Sequence, residues 1–530
     1  MKTKIIGLLV SLAGLSLTAA EPQYVIPEGG THFVGKTGSG FQNANRTSNK
    51  FRIETNADGS SVVLKVRAVG TCILFRLAHG FGLKMKSTGL TARIKFLLAM
   101  AGLGGLLYGV DFGVIATAEP YLKALGIYSD GQIGLIVGAV LLGGILSSLS
   151  AGVLCEWFGR KKMIVASAAM FLAAIPVVCL TLNDFGPLFA GRVLQGMSAG
   201  YMSVVMPMYL TETLPSDIRG RGTGIFQFFL GLGLVVAAAA GYLVAGIYGS
   251  ADAAGLPLAA KVGAWRANFW WTMLPVAVLF AGSLFLKESP AWKKRASLLG
   301  SPDLKAKSSK PKANSLLQRR YGVPFRRAVL VLTFNKTTGT STFTSYLVTI
   351  FHKSGFDGLL GNAGQFTIKI VNLLVTVFAA TLVDRKGRVW LLKIGTMGMT
   401  IGLLSVGAVF TGIERFGLEP SRMTGLVTLV GFFVMQVFYA LGPGICVWLV
   451  LSELMPQRIR ANGMAIALFM NQLVAWGLAS TFRSCIAAWG WDTMFYFFAV
   501  NGLLYFITVL FIPATKGKSL DELEHLFDGA

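Results

Sequence analysis

The stretch ETLPSDIRGRG at residues 212–222 returns later in the chain as ELMPQRIRANG at residues 453–463. Both copies carry Glu, Pro, Arg and Gly at the same spacing, with an offset of 241 residues. A second pattern, an acid followed three residues later by Gly-Arg, occurs at Glu156 and again at Asp384, with an offset of 228 residues. Two motifs that repeat in the same order at similar offsets indicate two related halves.

The composition indicates which environment these halves occupy. Hydrophobic residues make up 54% of the 530 residues, charged residues only 14%, and the mean hydropathy is +0.63. Soluble domains carry about 25% charged residues. A chain with so little charge is not a set of soluble domains, and we expect most of it to lie in a lipid bilayer.

Apolar stretches of about 20 residues recur from residue 96 onward, and each is long enough to cross about 30 Å of hydrocarbon as a helix. They predict an all-α membrane protein with twelve transmembrane helices in two pseudo-symmetric halves. The expected segments are 96–118, 131–155, 163–182, 186–210, 223–247, 268–286, 326–352, 364–383, 394–413, 424–451, 463–482 and 492–512.

The basic residues predict the orientation of these helices. With the segment before residue 96 in the cytoplasm, the inner loops hold 25 Lys and Arg and the outer loops hold seven. Basic residues favour cytoplasmic loops. We therefore expect a bacterial inner membrane protein whose helical region begins and ends in the cytoplasm. Basic loops on the cytoplasmic side then account for the net charge of +24, and no nucleic-acid partner is expected.

The chain divides into five expected parts: an N-terminal extension at 1–95, a six-helix bundle at 96–286, a basic cytoplasmic linker at 287–325, a second six-helix bundle at 326–512, and a cytoplasmic tail at 513–530. The first twenty residues resemble a secretory signal. A cleaved signal would place the next segment outside and reverse the charge asymmetry. Two readings remain: a start site assigned too far upstream, with Met85 as the candidate true start, or an atypical, poorly ordered extension.

Further motifs add to the repeats. They are GGLLYGVD at 104–111, KESPAW at 287–292, GPGICVW at 442–448 and PATKGKSLDELEHLF at 513–527. Together with the repeats they resemble the signatures of the sugar porter family of the major facilitator superfamily, across about residues 96–530. The resemblance implies alternating access, with a sugar site between the halves and proton symport as the driving reaction. It also implies that a monomer is sufficient for transport.

Asp111 lies inside an otherwise apolar segment. A carboxylate there costs about 3 kcal/mol on membrane-insertion scales, so it should be paired or protonated. Family proton symporters carry an Asp at this position, facing an Arg that corresponds to Arg192. The resemblance therefore implies that Asp111 and Arg192 couple transport to a proton. A static buried salt bridge is the alternative.

The repeated charged residues lie where helices meet the cytoplasm. We expect them to form a gating network that holds the halves together on the inner side and releases them during the cycle. Ordinary anchoring by positive charge is the alternative. The candidates are Glu156, Arg160, Glu212, Arg219, Asp384, Arg388, Glu453 and Arg460.

Sugar sites combine amides for hydroxyl groups with aromatic faces for C–H surfaces. The residues that match the family's sugar-contacting positions, or replace them, are Gln227, Asn335, Lys336, Ser341, Trp448 and Gln472. Packing in the protein core is the alternative. The segment 326–352 departs from the family, because Lys336 and Ser341 stand where the family has amides and Asn335 stands where it has the longer amide of Gln. Lys336 in the cavity would attract an anion, so a sugar acid or other small organic anion is the alternative substrate.

Other function classes lack sequence support. The five Cys and four His show no metal-ligand spacing, so no metal is expected. The chain carries no HExxH motif, and the patterns GxxxxGK[ST] and GxSxG each occur once, at 30–37 and 196–200. The first match lies in the polar extension and the second inside an apolar segment, so neither has the strand-turn-helix context that these motifs require. An enzyme or an ATP-driven pump is therefore disfavoured, and no cofactor is expected. A sensor that binds sugar without moving it is the remote alternative. The expected partners are a sugar, protons and the lipid bilayer.

Overall fold

A computed structural model describes residues 23–26, 51–55, 62–66, 92–181, 183–253, 255–299, 319–356, 358–454 and 460–512. The chain separates into two compact units, Met1–Leu90 and Thr91–Ala530. The predicted tail at 513–530 lies outside the described residues, as does most of the first unit.

The first unit contains three short strands, β1 (Gln23–Ile26), β2 (Phe51–Thr55) and β3 (Val62–Val66). They form an antiparallel sheet in the order β1-β3-β2, in which Leu64 lies opposite both Tyr24 and Ile53. The sequence analysis did not anticipate this sheet, because its strands are too short to give a periodic pattern in a polar segment.

The second unit is helical throughout its described part and contains sixteen helices. Those of the first half are α1 (Ala92–Ala124), α2 (Asp130–Phe158), α3 (Arg160–Cys179), α4 (Phe185–Thr213), α5 (Ser216–Tyr248), α6 (Leu258–Trp270) and α7 (Met273–Leu284). The short helix α8 (Pro290–Leu299) follows, in the predicted linker. Those of the second half are α9 (Arg319–Thr337), α10 (Thr340–Lys353), α11 (Leu359–Lys386), α12 (Arg388–Arg415), α13 (Arg422–Leu441), α14 (Pro443–Leu454), α15 (Arg460–Trp489) and α16 (Trp491–Leu510).

Every predicted segment overlaps one helix or one interrupted pair of helices. Nine described stretches are long and apolar enough to cross a membrane by length and composition. The predicted segments on α4, on α9 with α10, and on α15 fall short of that measure. These helices carry Arg192, Lys336 and Gln472, and such polar side chains lower the hydropathy of a segment. The count of twelve crossings therefore stays a prediction.

Several bounds differ from the expected ones. Three segments expected to be continuous are interrupted, at 271–272, at 338–339 and at Gly442. At the second break Gly339 has a φ of 77°, which glycine adopts without the clash of a Cβ atom. The α6–α7 pair begins at Leu258 instead of 268, and α9 begins at Arg319 instead of 326. Hydropathy marks only the apolar part of a helix and misses its polar ends.

The two halves repeat the same packing. In the first half α1 packs on α5, and α4 packs on both α2 and α3. In the second half α9 packs on α15, and α13 packs on both α11 and α12. The halves meet where α2 packs on α15, α5 on α11 and α1 on α10. Since α2 with α15 and α11 with α5 are equivalent pairs, the interface follows the internal repeat.

Glycines allow the closest of these contacts. A Cβ atom added at Gly105 or Gly109 of α1 would lie 2.1 or 2.0 Å from a backbone oxygen of α5. At the interface between the halves, a Cβ at Gly134 of α2 would lie 2.0 Å from the carbonyl oxygen of Ser480 on α15. Small residues let helix backbones approach closely in membranes, and here they bring α2 and α15 together.

Candidate functional site

The first feature is a buried ion pair between α1 and α4. Arg192 Nη1 lies 3.1 Å from Asp111 Oδ1, and both side chains are almost completely buried. The same nitrogen donates to Gln195 Oε1 at 2.8 Å, and the guanidinium lies 5.3 Å from the centre of the Phe269 ring. Asp111 Oδ2 has no hydrogen-bond partner in the described part of the chain. One carboxylate oxygen is therefore paired, and the other has free lone pairs.

The second feature is a charged network at one end of the bundle. We call this end the basic face and define it by the α2–α3 turn, the end of α4 and the start of α8. Arg160 is only 2% exposed, and its Nη2 lies 3.0 Å from both Glu156 Oε1 and Glu212 Oε1. Its Nη1 donates to the carbonyl oxygen of Cys155 at 3.0 Å. All these partners belong to the first half.

Glu288 completes that network. Its carboxylate accepts hydrogen bonds from the backbone N–H groups of Arg160 at 2.9 Å and Lys161 at 3.0 Å, at the start of α3. A negative charge is favourable there, because the first N–H groups of a helix lack partners within it. Ser289 donates to Glu212, and the indole of Trp292 donates to the carbonyl oxygen of Glu156 at 2.9 Å. The segment after α7 is thus tied to the α2–α3 turn.

The third feature lies at the other end, which we call the opposite face and define by the α1–α2, α5–α6 and α10–α11 loops. Glu119 of α1 is fully buried, and its Oε1 accepts from Arg483 Nε of α15 at 3.0 Å and also from Nη2. Its Oε2 accepts from the hydroxyl of Thr349 on α10. These bonds join the first half to the second.

Loop contacts reinforce the same junction. Ser250 of the α5–α6 loop donates to the carbonyl oxygen of Gly358 at 2.9 Å, and the Gly358 N–H donates to Asp252 Oδ2 at 3.3 Å. Burial alone would raise the pKa of Asp252. Hydrogen bonds from Ser250 and Gly358 and the nearby His352 outweigh that effect and hold the pKa below its usual value. Polar contacts thus close the two halves together at the opposite face.

The central part of the bundle holds the predicted substrate residues. Lys336 Nζ donates to Ser341 Oγ at 2.9 Å, across the break between α9 and α10. Asn335 Nδ2 donates to the carbonyl oxygen of Pro443 at 3.5 Å, so it supports the start of α14. Gln472 of α15 reaches the first half, since its Nε2 lies 3.1 Å from the place of a Cβ on Gly144.

The sequence model of a family described as "Sugar (and other) transporter" matches residues 97–298 and 300–527 of this chain. The match covers nearly the whole helical unit and both halves of the repeat. The chain belongs to this transporter family. Its activity is transport across a membrane, and it is not an enzyme.

Individual relatives agree with that assignment. An arabinose-proton symporter of Bacillus subtilis (strain 168) is 29% identical over 455 residues, which span 81% of this chain and 93% of the relative. A D-xylose transporter of Levilactobacillus brevis is 27% identical over 457 residues, which span 81% and 94%. The inward open structure of the xylose transporter XylE from E. coli matches with a TM-score of 0.67 at 24% identity, covering 81% of this chain and 98% of that chain. That likeness shows the major facilitator fold.

The remaining predicted residues of this transporter are placed as follows. Gln227 is exposed, and it lies one turn from Gly231, which faces Leu373 of α11. Trp448 is 44% exposed on α14. Arg388 is partly buried and begins α12 directly after Gly387, which has a φ of 89°. The side chains of four gating candidates lie outside the described part of the structure: Arg219, Asp384, Glu453 and Arg460.

The sequence analysis missed the residues that join the halves at the opposite face. Glu119 lies one residue past the expected end of the segment 96–118, and Arg483 lies one residue past that of 463–482. Both were therefore expected in loops, where a charge needs no explanation. The helices run on to Ala124 and Trp489, so these charges are buried inside helices instead.

Proposed function

We propose that this transporter takes up a sugar together with a proton across a bacterial inner membrane, as a monomer, with the basic face in the cytoplasm. The Asp111–Arg192 pair is the observation that carries the proposal. Relatives named as arabinose-proton symporter and D-xylose transporter support the choice of sugar and proton. The excess of Lys and Arg in the loops of the basic face supports the orientation.

The ion pair gives a route for coupling. Asp111 has one oxygen bound to Arg192 and one without a hydrogen-bond partner among the described residues. A proton on the free oxygen would cancel the charge that attracts Arg192, and the contact between α1 and α4 would weaken. Since α1 also carries Glu119 of the opposite-face junction, proton binding and the closure of that face would act on the same helix.

The polar contacts fit alternating access. In this conformation the halves are joined at the opposite face through Glu119 and Arg483. At the basic face, the described side chains that bond the Arg160 guanidinium belong to the first half. We infer that the substrate path leads toward the basic face in this state. Bonds between the halves through the repeated Glu and Arg residues stay a prediction for the state in which the basic face is closed.

Transport in vesicles tests the proposal. Wild-type protein should accumulate labelled arabinose, xylose or glucose when a proton gradient is imposed. Asp111→Asn should lose accumulation but keep exchange of labelled for unlabelled sugar, because binding and rocking need no net proton movement. Asp184→Asn, which removes an exposed carboxylate at the start of α4, is the matched control and should behave as wild type. Accumulation by Asp111→Asn under a pH gradient would show that the pair is structural.

A further inference from the structure

Within the described residues, two lysines inside the second half, Lys369, which is buried, and Lys336, which is partly buried, have no carboxylate partner. Lys336 of α9 bonds Ser341 Oγ at 2.9 Å, and Lys369 of α11, which is 3% exposed, bonds Thr344 Oγ1 at 3.2 Å. Ser341 and Thr344 are one turn apart on α10, so they face the same direction. The two ammonium groups are thus brought to one side of α10.

That side borders the space between the halves. From residue 340 to 351 of α10, Ser341 and Thr344 are the positions that stay partly exposed, and the others are buried. Because α10 packs against α1, α11, α13 and α15, it is enclosed by helices of both halves. The partly exposed hydroxyls and their lysines therefore face an internal space and not lipid.

The described helices hold more basic side chains in their interior than carboxylates to pair with them. The buried carboxylates there are Asp111, Glu119 and Asp492. Each has an arginine: Arg192 at 3.1 Å, Arg483 in direct contact, and Arg415 at 2.5 Å. No carboxylate in the described residues is left for Lys336 or Lys369.

A buried ammonium group costs several kcal/mol unless an opposite charge offsets the loss of water. Two such groups on one internal surface favour an anion that arrives from outside the protein. We propose that Lys336 and Lys369 bind the acid group of the transported molecule, so that the substrate is an anionic sugar with a carboxylate or phosphate group. This inference rests on the proposed function and names the substrate class of the same site.

The first half carries a candidate group for the sugar part of such a substrate. Leu373 lies one turn from Lys369 on α11 and faces Gly231 of α5, and Gln227 lies one turn from Gly231. An amide for sugar hydroxyl groups is therefore carried by the helix that packs on α11. Acid-binding and hydroxyl-binding groups would come from different halves, as alternating access requires of a site between them.

The test compares matched neutral and anionic sugars in proteoliposomes of the full chain. Labelled glucose, glucuronate and glucose 6-phosphate are offered with a proton gradient. We expect glucuronate or glucose 6-phosphate to be taken up with a half-saturating concentration at least tenfold below that of glucose. The acid that performs better identifies carboxylate or phosphate as the group bound. Uptake of glucose with neither acid taken up nor competing would overturn the inference and leave the proposed function standing.

Variants of the two lysines test whether they cause the preference for an acid. Lys369→Gln and Lys336→Gln should each raise the ratio of the half-saturating concentration for the preferred acid to that for glucose at least tenfold. Lys353→Gln is the control, because it removes an exposed charge from the end of α10, the helix that carries Ser341 and Thr344. An unchanged ratio of acid to glucose in both lysine variants would overturn the inference.

Two further measurements cover variants that fail to fold. In the purified wild-type protein, the preferred acid should raise the melting temperature more than glucose does at equal concentration. Equal shifts would count against the inference. A monovalent anion that moves with one proton carries no net charge, so a membrane potential without a pH gradient should not drive glucuronate uptake. Failure of a pH gradient to drive uptake of any of the sugars would instead refute proton coupling.

Discussion

Replacing Glu119 by Gln should shift the protein away from the conformation described here. The Glu119 carboxylate is fully buried and receives bonds from Arg483 and Thr349. The variant leaves the buried guanidinium of Arg483 without its principal opposite charge. Breaking one side of a buried ion pair costs about 3–5 kcal/mol. Because the pair joins the two halves, its loss destabilises the state in which the opposite face is closed.

The magnitude follows from the contacts. The Gln oxygen still accepts one hydrogen bond, so we take the lower end, about 3 kcal/mol. At about 1.4 kcal/mol per factor of ten, the closed state loses roughly a hundredfold in population relative to the open one. Asp130 Oδ1, 3.9 Å from Arg483 Nη1, offsets part of the loss. We therefore expect a change of at least tenfold.

The assay is a distance distribution between spin labels at Ile127 and Phe416, in protein whose native cysteines are replaced. Both positions are exposed, at 54% and 82%, and they lie at the opposite face on different halves. Glu119→Gln should move the main population to longer distances. Removing both charges, with Glu119→Gln and Arg483→Gln together, should restore most of the short-distance population, because no unpaired charge stays buried.

Arg415→Gln provides the control for this experiment. Its partner Asp492 lies 2.5 Å away, and both residues belong to the second half. Loss of that pair should leave the distribution unchanged. If Glu119→Gln gave the wild-type distribution, the pair would not hold the opposite face closed, and the reasoning from its burial would be refuted.

Two further predictions concern the turns and loops. Gly159→Ala should lower the melting temperature, because φ at this residue is 91° and a Cβ would lie 2.5 Å from Glu288 Oε2; such backbone strain costs about 1–3 kcal/mol. Gly152→Ala, with no atom within 4 Å of the added Cβ, should leave the melting temperature unchanged. Asp252→Asn should lower thermal stability at neutral pH. A carboxyl whose pKa is depressed in the folded state contributes above its unfolded value of 3.8 and loses that contribution as the pH falls below it. The difference from wild type should therefore shrink as the pH falls from 3.8 through the depressed folded pKa, and a difference that stays constant over that range would assign another role to Asp252.

The repeat in the sequence predicts the backbone well where a motif demands one geometry. The acid-x-x-Gly-Arg pattern places Gly159 and Gly387 at the junctions of α2 with α3 and α11 with α12, with φ of 91° and 89°. Only glycine adopts such angles without strain, so the repeat in residues becomes a repeat in structure. The twofold organisation of helix packing follows from the same pattern.

A charged residue can be predicted to lie inside a helix only if the end of that helix is predicted correctly. The insertion cost that singles out Asp111 applies equally to Lys369, which lies within the predicted segment 364–383. That cation is therefore within reach of sequence reasoning. Its contact with Thr344 is not, because it depends on how α11 packs on α10. Likewise the bond of Glu119 to Arg483 joins residues 364 positions apart, and no local pattern connects them.

The close contact of α2 glycines with α15 has a consequence for the rate of the conformational change. Gly134 and Gly138 face Ser480, and Gly144 faces Gln472. Leu141 of α2 packs on the small side chains of Ala475 and Ala479 of α15, so few pairs of large side chains interlock along this line. Interlocked side chains would have to disengage whenever the halves rock, and each disengagement would add to the activation barrier. Where glycines line the interface, the two helices can slide past each other with a lower activation barrier. Bulk added there would slow the turnover of the transporter even where its affinity for substrate stayed the same.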